Sequence, residues 1–425
     1  MAEQETSLQE GTTRQSAQLK TQPLIPKLRF KEFDGEWNSN LLGKFSSKIG
    51  SGSTPTGGNQ VYQDSGIPFI RSQNVFDDKL FLDGTHISKI LHLKMKGSIV
   101  KPNDILLNIT GGSIGRSCVV PKDFNEGNVN QHVCIIRLKD NFNTNFIQSF
   151  LSSHKGQKLI YEGQTGSGRE GINFQSIRLF KINIPSLPEQ QKIASFLSVV
   201  DEKIQQLTQK KSLLEQYKKG VMQQLFSGEL RFKDENGADF PNWEIKEIGE
   251  FIKVRKISAS PDTPLYSLTI EHGVVPKSKR YERSFLVKGE ESAYKLMFPN
   301  DFAFNPMNLR FGALARYKGT ENVAVSKYYD IFYCKENCNQ DYLESYLTSY
   351  NMIQYYNKMS TGTLEEKKRV HYLDFVHFKK LFPCIGEQQK IADYLSAIDT
   401  KIETVNQQIE KTQDFKKGLL QQMFV

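Results

Sequence analysis

The stretch "EQQKIASFLSVVDEKI" (residues 189–204) returns as "EQQKIADYLSAIDTKI" (387–402), with eleven of sixteen positions identical. The offset of 198 residues holds without a gap through "YKKGVMQQLF" (217–226) and "FKKGLLQQMF" (415–424). An internal repeat of this quality decides an architecture before any single motif does. In the first copy Ile193, Leu197, Val200, Ile204, Leu207, Leu214, Tyr217, Val221 and Leu225 recur mostly at spacings of three and four. The second copy answers with Ile391, Leu395, Ile398, Ile402, Val405, Ile409, Phe415, Leu419 and Met423. This pattern predicts two long helices, each with one heptad-like apolar seam and a polar outer face. Pro185 and Pro188 precede the first helix and Pro383 the second, where extended chain gives way to helix. Residues 189–226 would form about 57 Å of helix. A helix of that length with a single apolar stripe needs a partner, so the two copies are expected to pack on each other.

A second, weaker repeat sets their direction. "PKLRFKEFDGEWNSNLLGKF" (26–45) shares LRFK and a Trp with "GELRFKDENGADFPNWEIKEIGEF" (228–251). The chain thus reads as unit, helix, unit, helix. Only Ser227, Gly228 and Glu229 separate the end of the first helix from the second LRFK, a reach of roughly 10 Å. The second unit therefore has to begin at the C-terminal end of the first helix, and antiparallel packing lets it meet the start of its own helix. The expected fold class is α+β: two globular mixed α/β recognition domains separated by two long antiparallel coiled-coil helices, related by a pseudo-two-fold internal repeat. The expected parts are a disordered, Gln/Ser/Thr-rich tail (1–26), a first domain (27–188), a first spacer helix (189–226), a second domain (227–386) and a second spacer helix (387–425). Within the domains, short apolar runs such as "DILLNIT" (104–110) and "DFAFNPM" (301–307) read as strands, and 142–160 and 340–358 read as helices.

The charge is uneven. Over 425 residues the formal net charge is +9, which points toward a polyanionic partner. Residues 27–188 hold 20 basic and 13 acidic side chains, whereas 227–386 hold 23 and 21, and 387–425 hold 5 and 6. Five cysteines at irregular spacing, without an apolar leader, fit a reducing cytoplasm. No apolar run approaches the roughly 18 residues of a membrane span, so no membrane partner is expected.

Catalytic signals are sparse. There is no GxxxxGK[ST] phosphate loop, and "GGSIGRS" (111–117) is glycine-rich without the lysine. "FNPMN" (304–308) lacks the second proline and the aromatic of the Asn-Pro-Pro-aromatic methylase motif. Cys334 and Cys338 have loose metal spacing, but His371 and His377 lie over thirty residues downstream. No metal site and no cofactor pocket is expected on this chain.

The duplicated EQQKIA helices, the LRFK…W starts, "GSGSTPTGGNQVYQDSGIPFIRSQNV" (50–75) and the "GSIGR" turn resemble the specificity subunits of type I restriction–modification systems. The resemblance covers about residues 24–425. It implies a non-catalytic subunit with two target recognition domains, each reading half of a split site in double-stranded DNA, and helices acting as a ruler. It also implies two modification (methyltransferase) subunits carrying S-adenosylmethionine, and restriction/translocase subunits using ATP and Mg. The second unit departs from the pattern, having no clear GSTP loop.

Phosphate contacts from Lys and Arg supply affinity to such a reader, and polar side chains at base edges supply sequence. Candidate DNA-binding residues in the first unit are Ser53, Thr54, Arg71, Gln73, Asn74, Ser113, Arg116, Asn130, Gln131 and Arg169. In the second they are Lys277, Lys279, Arg280, Arg310, Arg316, Lys367, Lys368 and Arg369. Each competes with a plainer role as a solvated charge or an acid's partner; Glu365 and Glu366 sit beside the last three. Two other classes stay open at this point: a stand-alone bipartite DNA-binding regulator without methyltransferase partners, and a coiled-coil assembly hub. Two unlike globular units on one chain speak against a repressor that repeats one head, and variation outside the helices speaks against a hub.

Overall fold

The computed structural model describes residues 24–76, 78–164, 171–277 and 294–425. The expected tail lies outside them save for its last three residues, which belong to the fold. Leu24 packs against the first core, and its carbonyl accepts the Trp37 amide at 2.9 Å.

The chain divides into two compact units, Met1–Gln206 with Ile409–Val425, and Leu207–Gln408. Each unit takes in one of the expected segments 27–188 and 227–386 together with about half of each long helix. The helices run over Leu187–Ser227 (41 residues) and Ile385–Gln422 (38 residues).

In the first unit a four-stranded antiparallel sheet has the order Ser46–Ser51, Val133–Leu138, Ile105–Asn108, Ser117–Val119. The apolar run 105–109 is explained by burial of both its faces. Ile105 and Leu107 join the core shared with the helices, whereas Leu106 points into a second core with Ile70, Val100 and Val129. That second core lies under another sheet, ordered His86–Ile87, Ile67–Ile70, Gly127–Val129, Ile99–Val100, whose central pair is parallel. Strands Asn38–Leu41 and Lys181–Ile184 pair separately.

The second unit repeats this frame. Its sheet runs Ile252–Val254, Asp330–Cys334, Phe302–Phe304, Leu314–Arg316, all antiparallel. Phe302 and Phe304 face the helix-side core and Ala303 the other, the period of two that a strand imposes. Glu244–Glu247 pairs with Lys379–Phe382 as the counterpart of the separate pair in the first unit. A shared tripeptide shapes both sheets. "PND" occurs at 102–104 and 299–301, with Asn103 and Asn300 in left-handed backbone (φ 64° and 67°). The Asp that follows is buried and bound by an arginine, Asp104 by Arg137 and Asp301 by Arg255.

The expected single helices are each broken in two. Thr144–Ser152 is followed by His154–Glu162, and Gln340–Leu347 by Tyr350–Met359. Ser153 and Ser349 sit at the breaks in extended backbone, and each hydroxyl caps the next helix, at 3.2 and 3.4 Å.

Most of the predicted seam is internal. Ile193, Leu197 and Val200 join Leu419, Met423 and Phe424 in the first unit's core; Val221 and Leu225 join Ile391, Leu395 and Ile398 in the second. Leu207 and Val405 are buried, and Ile204, Leu214, Ile402 and Ile409 are half-buried. Tyr217 and Phe415 are corrections, exposed by 51% and 55%. The Tyr217 hydroxyl still bonds that of Tyr394 on the partner helix at 2.6 Å, and the next residues, Lys218 and Lys416, also face their partner helices. Lys218 meets Asp399 at 2.6 Å and Lys211 meets Asn406 at 2.7 Å in the second unit, so the helices there are antiparallel. In the first unit Lys416 meets Asp201 at 2.7 Å. With the offset of 198, this is the same ion pair made a second time. Among the described residues no helix is long and apolar enough to cross a membrane.

Candidate nucleic-acid interface

The letters repeated in EQQKIA hold each unit to its helices. Glu189, 2% exposed, accepts two hydrogen bonds from Arg29, both at 2.8 Å, and one from the Trp37 indole at 3.3 Å. Glu387, fully buried, accepts the same set from Arg231 (3.0 and 2.7 Å) and Trp243 (2.9 Å). Each pair is bidentate, the stronger class of charge-assisted bond, and hydrogen bonding to its glutamate raises the arginine above its ordinary value in both units. The next residue also repeats its role. Gln190 accepts the Asn143 amide at 2.9 Å and donates to the Pro185 carbonyl at 2.9 Å; Gln388 does so with Asn339 (2.9 Å) and Pro383 (3.0 Å). The Arg of LRFK, the later Trp and the Glu of EQQ were legible as repeated letters, but nothing in the sequence joined them into one clasp.

With its lower part clamped, the first unit presents the ends of its strands as one loop face. The strands ending at Ser51, Ile70, Asn108 and Val129 feed loops that hydrogen-bond to one another. Gly52 donates to the Asn130 carbonyl (3.1 Å), Asn130 to that of Ile70 (2.9 Å), and the buried Asn108 side chain to that of Ser72 (2.8 Å). On this face the exposed Thr54 hydroxyl bonds the exposed Gln131 side chain. Gln131 continues to the His132 ring at 3.1 Å, and His132 to Thr110 Oγ1 at 2.6 Å. Thr110 and His132 were missed in the sequence, although they flank "GGS" and Gln131. Exposed Ser53 neighbours this chain, and half-buried Ser113 accepts a bond from Asn108 at 3.2 Å. Arg116 is exposed and lies over the Phe76 ring, 4.7 Å from its centroid.

Arg71 and Gln73 are brought together on Asp83, at 2.7 and 2.5 Å, with Thr85 beside them. Against the cost of burial, hydrogen bonds from Thr85, Gln73 and Arg71 hold the Asp83 carboxyl well below its usual range. Both side chains are therefore pre-ordered by an acid. Asn74 is a correction: it is 2% exposed, and its amide donates to the Phe81 carbonyl (2.7 Å) while its oxygen accepts the Arg71 amide. Asn130 is likewise buried and caps the His132 amide at 3.0 Å. Arg169 lies outside the described residues.

The second unit assembles fewer of its candidates. Lys279 and Arg280 lie outside the described residues, and Lys277 stacks on Tyr294 with its ammonium 5.9 Å from the ring centroid. Arg316 is a correction, 9% exposed and bound by Asp341 and Glu344 of the neighbouring helix. Arg310, 8% exposed, is a correction too, fastening the 361–370 loop through the Glu365 carboxylate (2.5 Å) and carbonyl (2.8 Å). Lys368 also binds Glu365, at 2.6 Å. Hydrogen bonds from Lys368 and Arg310 bring the Glu365 carboxyl down to about 2. Lys367 is exposed and Arg369 half-buried on the same loop, which closes through paired backbone bonds between Thr361 and Arg369, both 2.9 Å.

Each unit thus carries its own loop face on a mixed α/β frame clasped to the long helices, a duplicated two-unit architecture. Residues 36–216 match the family model described as the type I restriction modification DNA specificity domain. The type I restriction enzyme MjaVIII specificity subunit of Methanocaldococcus jannaschii is 23% identical over 353 residues, 78% of this chain and 81% of that protein. The S subunit of the type I restriction–modification system from M. genitalium superposes with a TM-score of 0.53 at 13% identity, covering 94% of this chain and 99% of its own. A structure described as the basis of complex assembly and conformational transition of the type I R-M system gives 0.55 at 15%, covering 90% and 96%. The chain is thus similar to type I restriction–modification specificity subunits, in sequence over residues 36–216 and in fold over most of its length.

Proposed function

We propose that this chain is the DNA-reading subunit of a type I restriction–modification complex, recognising a bipartite, asymmetric site in double-stranded DNA. The observation that carries this reading is the contrast between the twice-made clasp, Arg29–Glu189–Trp37 and Arg231–Glu387–Trp243, and the two loop faces, which share almost no side chain. In the first unit the reading residues are Ser53, Thr54, Thr110, Gln131 and His132, with Arg71, Gln73, Ser113 and Arg116 around them. In the second they are Lys277, Lys367, Lys368 and Arg369. Gln offers a paired donor and acceptor to adenine, and Arg a fork to guanine.

The chain itself carries out neither methylation nor cleavage. It directs adenine methylation by two modification subunits that hold S-adenosylmethionine, and ATP- and Mg-dependent cleavage by restriction/translocase subunits. Coexpression with the modification subunits, followed by sequencing of methylated DNA, tests the reading. Methylation at one split sequence supports it, whereas turnover of S-adenosylmethionine by the purified single chain refutes it. The helices are read as the element that fixes the gap between half-sites. Inserting four residues after Thr208 and after Asn406 adds about 6 Å to each helix. The tolerated gap should lengthen by one or two base pairs at about 3.4 Å each, with both half-sites unchanged.

A further inference from the structure

Cys334 ends a strand and Cys338 lies just before the helix Gln340–Leu347, joined by a turn in which the Cys338 amide donates to the Lys335 carbonyl at 3.2 Å. The turn folds the Cys334 thiol onto the Cys338 carbonyl, to which it donates at 3.2 Å. Cys334 is half-buried and Cys338 buried. The neighbouring Cys338 thiol, and after it the Arg316 guanidinium, hold the Cys334 thiol below its ordinary value against burial and the Asp341 carboxylate, while its neighbour and burial push Cys338 up. The other core cysteines differ. Cys118 and Cys134 are fully buried, and burial pushes each up to about 12.

The fold does not require sulfur here. The first unit places its capping Asn143 where the second has Asn339, each amide held by the glutamine of EQQ. Counting back from these asparagines, Leu138 stands for Cys334 and Phe142 for Cys338. Both are apolar, and Phe142 stacks on Phe45 with ring centroids 4.6 Å apart. An ordinary hydrocarbon pair therefore fills the same frame.

We infer that Cys334 and Cys338 form a reversible dithiol–disulfide couple, a modification site in the second unit only. A partly accessible thiol beside a cation, next to a resolving thiol, is the arrangement that oxidises selectively. With hydrogen peroxide as oxidant, the Cys334 sulfur attacks one peroxide oxygen and becomes a sulfenic acid as the O–O bond breaks and the other oxygen, taking up the thiol proton, leaves as water. The Cys338 sulfur then attacks the Cys334 sulfur, a second water leaves, and the S–S bond closes. Two thiols thus lose two hydrogens and two electrons to one hydrogen peroxide, and a small thiol reverses the change by exchange. The bridge would stiffen the turn that sets Asn339 against Gln388.

The test is peptide mass mapping of the full chain after brief hydrogen peroxide treatment. The expected result is loss of two hydrogens on the peptide holding Cys334 and Cys338, restored by dithiothreitol, with Cys384 still a free thiol. In Cys338→Ser, dimedone should capture a sulfenic acid at Cys334; in Cys334→Ser, Cys338 should remain unlabelled. Free thiols at both positions in the treated wild-type chain would overturn the inference, as would oxidation of Cys384 as fast as that of Cys334.

Discussion

The first unit carries on its loop face a chain of side-chain hydrogen bonds through Thr54, Gln131, His132 and Thr110. The second fastens its 361–370 loop with charges, Arg310 and Lys368 on Glu365. Beneath these faces the two units agree almost atom for atom, in the glutamate clasp, the glutamine bridge, the PND turn and the serine break between helices. What is shared is buried and fixes position; what differs is solvent-facing and able to select. A duplicated frame can thus change its target without changing how it is held.

The largest expected effect tests the shared part. Glu189→Ala strands Arg29 in a mostly buried site and should lower the stability of the first unit by about 3–5 kcal/mol, and Glu387→Ala should do the same in the second. Denaturant unfolding with hydrogen exchange should localise each loss to its own unit. A cost below about 1 kcal/mol at either site would mean that the clasp is ornamental. Leu197→Ala and Leu395→Ala, repeat-equivalent and both 1% exposed, should each cost about 2–5 kcal/mol, and closely similar values would confirm that the frame is energetically duplicated.

Another comparison separates two ion pairs that the repeat makes equivalent. Lys416 is largely enclosed and also binds Asp78, which Gln148 and Ser152 support, whereas Lys218 binds the exposed Asp399. Asp78→Asn should therefore cost about 1–3 kcal/mol, and Asp399→Asn no more than about 1 kcal/mol. Equal costs would erase the distinction. The smallest effect is confined to the 361–370 loop. Its Glu365 carboxyl lies below the ordinary 4.5, at about 2, so its contribution is present above pH 4.5 and is lost as pH falls toward about 2. Loop mobility followed by NMR across that window should rise on acidification, and Glu365→Gln should remove the dependence.

The sequence made the frame legible because its repeated features obey local rules: helical periodicity over long segments, proline punctuation, and alternating strands. Antiparallel helices followed from a three-residue connection at 227–229. Tyr217 and Phe415 misled because periodicity treats an aromatic as seam, whereas Lys218 and Lys416 face inward to meet aspartates. The loop faces were only half legible. Residue type alone does not show that Arg316 and Arg310 are held by acids, nor that Asn74 serves a backbone carbonyl, since their partners lie 7 to 55 positions away. Thr110 and His132 escaped because no motif marks them before the fold links them to Gln131.

The central claim is that two independent reading faces sit on one duplicated frame, and base-resolved methylation by the reconstituted complex tests it most directly. The measurement compares the wild-type chain with Thr54→Ala/Gln131→Ala and with Lys367→Ala/Arg369→Ala. The account predicts that the first variant relaxes one half-site by about 1–3 kcal/mol of discrimination and leaves the other intact, and that the second variant affects only the opposite half. Relaxation of both halves together by either variant, or a palindromic wild-type site, would contradict it.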